Sequence, residues 1–196
     1  MVGTDVHTNA EPTRAVMAWI DETADELIAF LAAYVQQRSV NPGRSFEGDP
    51  SGTKACQEWL REQLAGFGAF DDIDMWDGAP DEPNLAAVVR GGGGAGSSLM
   101  FNGHTDTIGV GPEQKAQWLD GDPWSARILD GKLYGRGSTD MKAGIAAFIW
   151  AARAVRAVGL RPAADLTLTM TIGEETGEPE LGPFSLLDRG YQADLI

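Results

Sequence analysis

The segments DMKAGIAAFIWAARAVRAV (Asp140–Val158) and LTLTMTI (Leu166–Ile172) decide the fold class. The first is rich in Ala, and Ile145, Phe148, Ile149, Ala152 and Val155 fall on one side of a helix. The second is short, apolar and β-prone, and reads as a strand. Upstream, NLAAVVR (Asn84–Arg90) and SLMFN (Ser98–Asn102) read as two more strands. Downstream, Gly182–Arg189 predicts a short helix, and Ala193–Ile196 predicts a strand entering the core. Strands that alternate with helices indicate an α/β fold with a mixed, largely parallel sheet.

Further toward the N-terminus, a polar tail at residues 1–12 precedes a long helix predicted over Thr13–Arg38. Val16, Ile20, Leu27, Leu31 and Tyr34 draw its apolar stripe, and Asp21, Glu22, Asp25 and Glu26 its solvated face. A second helix is predicted over Gly52–Leu64, stopping at Gly66 and Gly68. The run Gly91–Gly96 precedes a strand and not a helix N-terminus. It therefore reads as a flexible hairpin connection and not as a phosphate-cradling loop. Trp118–Tyr134 reads as a loop and a hairpin turning at Asp130-Gly131.

Composition narrows the class. The chain has 196 residues, 43 % of them apolar, which excludes a disordered polymer and allows one real core. Residues 13–196 read as part of one domain. The 15 Lys and Arg against 29 Asp and Glu leave a net charge of −14. That balance argues against nucleic acid as a partner, because phosphate binding needs clustered cations. The single cysteine, Cys56, cannot form an internal disulfide and reads as a small buried hydrophobe. It fits a reducing compartment, and MVGTDVHTNAEP lacks the apolar stretch of a signal peptide, so a cytoplasmic location is expected. No apolar run is long enough to span a membrane. His7 lies in the tail and reads as uninvolved.

In open α/β sheets, ligands gather at strand ends. Three polar clusters meet that criterion. In NGHTDT (Asn102–Thr107), His104 and Asp106 are two apart, so on extended chain both side chains share a face. The pair can be a metal-ligating imidazole with a carboxylate that orients it, or a loop His beside a capping Asp. In GRGSTDMKAG (Gly135–Gly144), Asp140 stands at a helix start, either as an N-cap or as a carboxylate bridging two metals. In GEETGE (Gly173–Glu178), the adjacent Glu174 and Glu175 repel each other unless a cation intervenes. One Glu can then ligate while its neighbour stays free as a base; the bland reading is an exposed acidic loop. Together the clusters supply nitrogen and oxygen donors for paired divalent metals, which polarise a carbonyl and acidify water.

At these residues the chain resembles the two-zinc amidohydrolases and exopeptidases that include acetylornithine deacetylase, succinyl-diaminopimelate desuccinylase, aminoacylase and carboxypeptidase G. NGHTDT, GRGSTDMKAG and IGEETGE (Ile172–Glu178) match in the family's order, with looser similarity through SVNPG (Ser39–Gly43). The resemblance implies a three-layer α/β/α sandwich, incomplete at the C-terminus. It implies a metal-dependent hydrolase of amide bonds in N-acyl amino acids or small peptides. His104 would ligate the first metal, Asp140 would bridge, and Glu175 would ligate the second; Asp106 would orient His104, and Glu174 would be general base and acid. Zn2+ is the implied ion, with Co2+ as a substitute.

The family has a further acidic ligand, a late histidine ligand and an inserted lid domain that mediates homodimerisation, and this sequence contains none of them. The expectation is therefore the N-terminal part of a catalytic domain, with two protein donors per metal. The alternative is a truncated, non-catalytic fragment with weak or no metal binding.

Overall fold

The N-terminal helical stretch is broken at Thr23. A computed structural model describes residues 10–46 and 51–196, so His7 lies outside the described residues. Helix α1 spans Ala10–Glu22 and α2 spans Ala24–Gln36, in place of one helix beginning at Thr13. The Thr23 hydroxyl donates to the Trp19 carbonyl at 2.9 Å and accepts from Trp150 Nε1 at 3.1 Å. A threonine that bonds back onto the preceding turn bends a helix, and the indole holds that bend in place. Asp21, Glu22, Asp25 and Glu26 are exposed, as their pattern predicts.

Helix α3 spans Thr53–Phe67. Gly66 lies inside it, and the stop is Gly68, whose φ of +62° is open to glycine. Strands β1 (Asp72–Ala79) and β2 (Glu82–Val89) form an antiparallel hairpin. The remaining elements are β3 (Leu99–His104), α4 (Pro112–Lys115), β4 (Arg127–Leu129), β5 (Lys132–Tyr134), α5 (Ala143–Ala157), β6 (Leu166–Thr171) and α6 (Pro183–Asp188). β4 and β5 pair as the predicted hairpin, with Asp130 and Gly131 both at positive φ.

The main sheet has the order β1-β2-β6-β3 and is mixed, as expected, but it is not largely parallel, because the β1-β2 hairpin adds two antiparallel pairings to one parallel pairing. β2 runs antiparallel to both neighbours, whereas β3 runs parallel to β6. Because β6 is central, both of its faces are covered. Leu168 and Met170 turn to one side, Thr167, Thr169 and Thr171 to the other, and all five are buried.

Helices α1, α2, α3 and α5 cover the first side. Phe30, Tyr34, Leu60, Leu64, Ile145 and Ile149 pack there against Leu85, Ala87, Val89, Leu168 and Met170. Residues 181–191 cover the second side. Leu181 O accepts from Asn84 Nδ2 at 2.7 Å, Ser185 from the Trp76 indole at 2.7 Å, and Tyr191 stacks on the Trp76 ring. These are the three layers.

Three local expectations are corrected. The glycine run does not connect a hairpin, because β6 lies between β2 and β3. It is packed against the chain entering β6: Gly91 N, Gly92 N and Gly94 N donate to Asp165, Pro162 and Ala163. A Cβ at Gly91 would collide with the Ala164 backbone, so glycine here serves close approach. Second, the chain from Asp140 to Lys142 is not yet part of α5; Asp140 is extended at φ −123° and ψ 100°. Third, the last residues do not enter the core. Leu195 makes one parallel bridge to Leu99 on the outer edge of β3, and Leu195 and Ile196 are exposed. Among the described residues no helix is long and apolar enough to cross a membrane.

Candidate metal centre

Parallel pairing of β3 with β6 sets His104 opposite Thr171, so both strands end at the same level. The chain leaves β3 through Thr105–Thr107 and leaves β6 through Gly173–Glu175. Two of the predicted clusters are therefore adjacent, at the carboxyl ends of strands where α/β sheets bind ligands. Gly173 makes the second exit possible, with φ at +87° and the Glu178 carbonyl 2.6 Å from where a Cβ would stand.

His104 is buried and meets acceptors at both ring nitrogens. Nδ1 is 3.0 Å from the Asp106 carbonyl oxygen. A carbonyl only accepts, so Nδ1 carries a proton. Nε2 is 3.0 Å from Asp140 Oδ1 and 3.7 Å from Glu174 Oε2. Burial disfavours the charged ring, but the Asp106 side chain and carbonyl, helped by Asp140, outweigh it and raise the His104 pKa to about 9.

Asp106 is buried and contacts His104 chiefly through its backbone; Oδ1 stands 3.6 Å from Nδ1 and makes no hydrogen bond. Its Oδ2 accepts from Asn41 Nδ2 at 2.9 Å, Gly173 N at 3.2 Å and Glu175 N at 3.3 Å. The carboxylate thus ties the exit of β3 to the exit of β6. Burial works against its charge, yet the neighbouring His104 ring and the bond from Asn41 hold its pKa below the usual range.

Glu174 and Glu175 follow. His104, Glu174 and Glu175 each offer a ligand atom, and these lie within 4.8 Å of one another. Burial raises the Glu175 pKa against the pull of His104, and the charges of Asp140, Asp106 and Glu174 raise it further. Asp140 caps no helix: α5 begins three residues later, and the Asp140 side chain is exposed toward His104. The N-cap alternative is thereby removed. His104, Glu174 and Glu175 form a group that could hold a metal ion, and Asp140 stands against the same imidazole.

Two clefts flank the cluster. One, about 660 Å³, is lined by Asn102, His104, Asp140, Met141, Glu174 and Pro183. The other, about 400 Å³, is lined by Ile108, Trp118, Tyr134, Arg136, Asp140 and Glu175. Asp140 lines both. Two participants carry no motif-independent signal in the sequence, namely Asn41, which holds Asp106, and the buried Lys142. Asn41 sits within SVNPG, where similarity to known enzymes is loose.

A model of peptidase family M20/M25/M40 matches residues 100–196, the half of the chain that contains all five residues. The chain belongs to this family. It is 32 % identical over 181 residues to the N-formyl-4-amino-5-aminomethyl-2-methylpyrimidine deformylase of Halalkalibacterium halodurans, covering 92 % of this chain and 39 % of that enzyme. It is 38 % identical over 152 residues to the succinyl-diaminopimelate desuccinylase of Ralstonia nicotianae, covering 76 % of this chain and 36 % of that one. Among solved structures, human carnosine dipeptidase 1 superposes with a TM-score of 0.73 at 25 % identity, over 90 % of this chain and 37 % of that chain. The chain thus spans under two fifths of these relatives.

Proposed function

We propose that this chain carries the metal site of an amide hydrolase acting on N-acyl amines, N-acyl amino acids or small peptides. The observation that carries the proposal is the convergence of Glu174, Glu175 and Asp140 on one buried imidazole at the ends of two parallel strands. The relatives' names describe removal of formyl and succinyl groups and cleavage of a dipeptide, all reactions at an amide bond.

In this reading His104 and Asp140 would hold one divalent cation, and Asp140 and Glu175 a second, zinc being the expected ion and cobalt(II) a substitute. Such ions supply Lewis acidity, polarising a carbonyl oxygen and acidifying water. The Asp106 carbonyl keeps the proton on Nδ1, which aims the other nitrogen at the site. Glu174 lines the larger cleft and is free to act as the base. It takes a proton from the attacking water as oxygen bonds to the carbonyl carbon. It then delivers that proton to the leaving nitrogen as the C–N bond breaks, giving a carboxylate and an amine.

The test is hydrolysis. With zinc or cobalt added, the protein releases formate, acetate or succinate from acylated amines, or amino acids from dipeptides. Glu174→Ala lowers kcat by about 10²-fold or more at unchanged metal content; an unchanged rate overturns the mechanism. The donor count favours a second reading, in which the chain binds metal weakly and does no chemistry, because each ion would receive two donors from the described residues. Calorimetry separates the two: two tight zinc sites refute the second reading, and weak or absent binding supports it.

A further inference from the structure

Lys142 stands two residues after Asp140, is fully buried, and has no part in the chemistry above. Its ammonium donates to the carbonyl oxygens of Gln37 at 2.6 Å and Tyr34 at 3.1 Å. It lies 4.8 Å from the Tyr34 ring centroid and 3.8 Å from Cys56 Sγ. Among the described residues no carboxylate pairs with it. A buried ammonium without a counter-ion is costly to keep. Here the compensation is the negative end of α2, whose last carbonyls have no partner within the helix.

The same end of α2 holds the opposite side of the site. The Tyr34 hydroxyl is 3.0 Å from Thr105 Oγ1, Ser39 Oγ donates to Thr105 O at 2.7 Å, and Thr107 N donates to Ser39 O at 2.8 Å. Residues 34–39 therefore touch the segment that carries His104 and, through Lys142, the segment that carries Asp140. Asp140 and Met141 are non-helical, and Lys142 N closes the loop by donating to Gly137 O at 2.9 Å. Gly137 is itself pressed against Thr107, with room for no Cβ.

We propose that Lys142 is a positioning residue that clamps the Asp140 turn onto the end of α2 and so sets the Asp140 carboxylate against His104. An apolar side chain of similar length would fill the space but take the ammonium from the Gln37 carbonyl, leave the Tyr34 carbonyl with Gln37 N alone, and leave the turn untied. The inference rests on the reading of His104 and Asp140 as partners in one site, yet its test needs no metal.

The chain has two histidines, so a His7→Gln background leaves His104 as the one imidazole. Long-range 1H–15N spectra of the metal-free chain at pH 7 then report its two nitrogens separately. Asp140→Ala gives the Nε2 position without its carboxylate. Lys142→Met moves Nε2 at least halfway to that position, while Nδ1 and the amide signals of β3 and β6 stay in place. An Nε2 resonance that does not move in folded Lys142→Met overturns the proposal. Should that variant not fold, Lys142→Leu, which likewise removes the donor, is read by the same criterion. Cobalt(II) titration of the parent chain, followed by visible absorption, tests the metal reading separately. No binding there overturns that reading, and the imidazole spectra still decide Lys142.

Discussion

His104 is the residue on which the local electrostatics turn. Its two nitrogens meet the Asp106 carbonyl on one side and Asp140, with Glu174 behind it, on the other. Its pKa is raised from an ordinary 6.5 to about 9. A group whose folded pKa is raised stabilises the fold below its unfolded pKa. That stabilisation is full below pH 6.5 and is lost as pH climbs through about 9. The metal-free chain is therefore expected to show urea midpoints that decline from pH 6.5 to 9.5, and His104→Gln to flatten that decline. On the proposed reading a cation displaces the Nε2 proton, so zinc affinity is expected to rise with pH, about tenfold per unit below the pKa. Calorimetry in buffers of different ionisation enthalpy reads the released proton. Asp106 has the opposite sign. Its pKa is depressed, so its contribution is present above the ordinary carboxylate range and is lost as pH falls through the folded value. Asn41 is one source of that depression, and Asn41→Ala leaves a buried carboxylate oxygen short of a donor. We expect a loss of about 1–3 kcal/mol in urea unfolding at pH 7.

At the scale of elements, what was legible in the sequence is what has one dominant signal. Helix α5 and strand β6 each carry an unbroken pattern, and the His104–Asp106, Asp140 and Glu174–Glu175 clusters fall at chain turns where the pattern stops. The rest depends on contacts between distant segments. The break at Thr23 needs Trp150, and no local feature of Thr13–Arg38 foretells it. β1 goes unread, although Ile73 and Met75 alternate there with Asp72 and Asp74. The glycine run misleads for a related reason: four glycines suggest freedom, while their amides are engaged by Pro162, Ala163 and Asp165. This gives a test at Gly91. In Gly91→Ala the new methyl meets the Ala164 backbone and must push the run away from the entry to β6. The expected cost is about 1–3 kcal/mol in urea unfolding, whereas Gly93→Ala, at positive φ but in open space, costs about 1 kcal/mol. Equal costs at the two positions would mean that the run is as loose as its composition suggests.

At the scale of the molecule, two features oppose each other. β3 is an edge strand, paired on its outer side among the described residues only by the Leu195 bridge, and Phe101 on it is 40 % exposed. Leu195 and Ile196 lie exposed beside it, and Phe184 and Leu187 of α6 are more than half exposed on the other layer. An open strand edge bordered by apolar side chains is a template for pairing with another chain. Against this stands the net charge of −14, which keeps copies apart through long-range repulsion. Salt acts on only one of the two. The Debye length falls from about 30 Å at 0.01 M to about 3 Å at 1 M, so added salt removes the repulsion and leaves apolar contact intact. The chain is therefore expected to be monomeric at low ionic strength and to self-associate as sodium chloride is raised, as followed by sedimentation velocity at fixed protein concentration. Leu195→Lys, which puts a cation on the open edge, should suppress the salt-driven species, while an exposed control such as Met17→Lys should not. Association that weakens with salt would instead mark the contact as electrostatic and clear the β3 edge of any part in it.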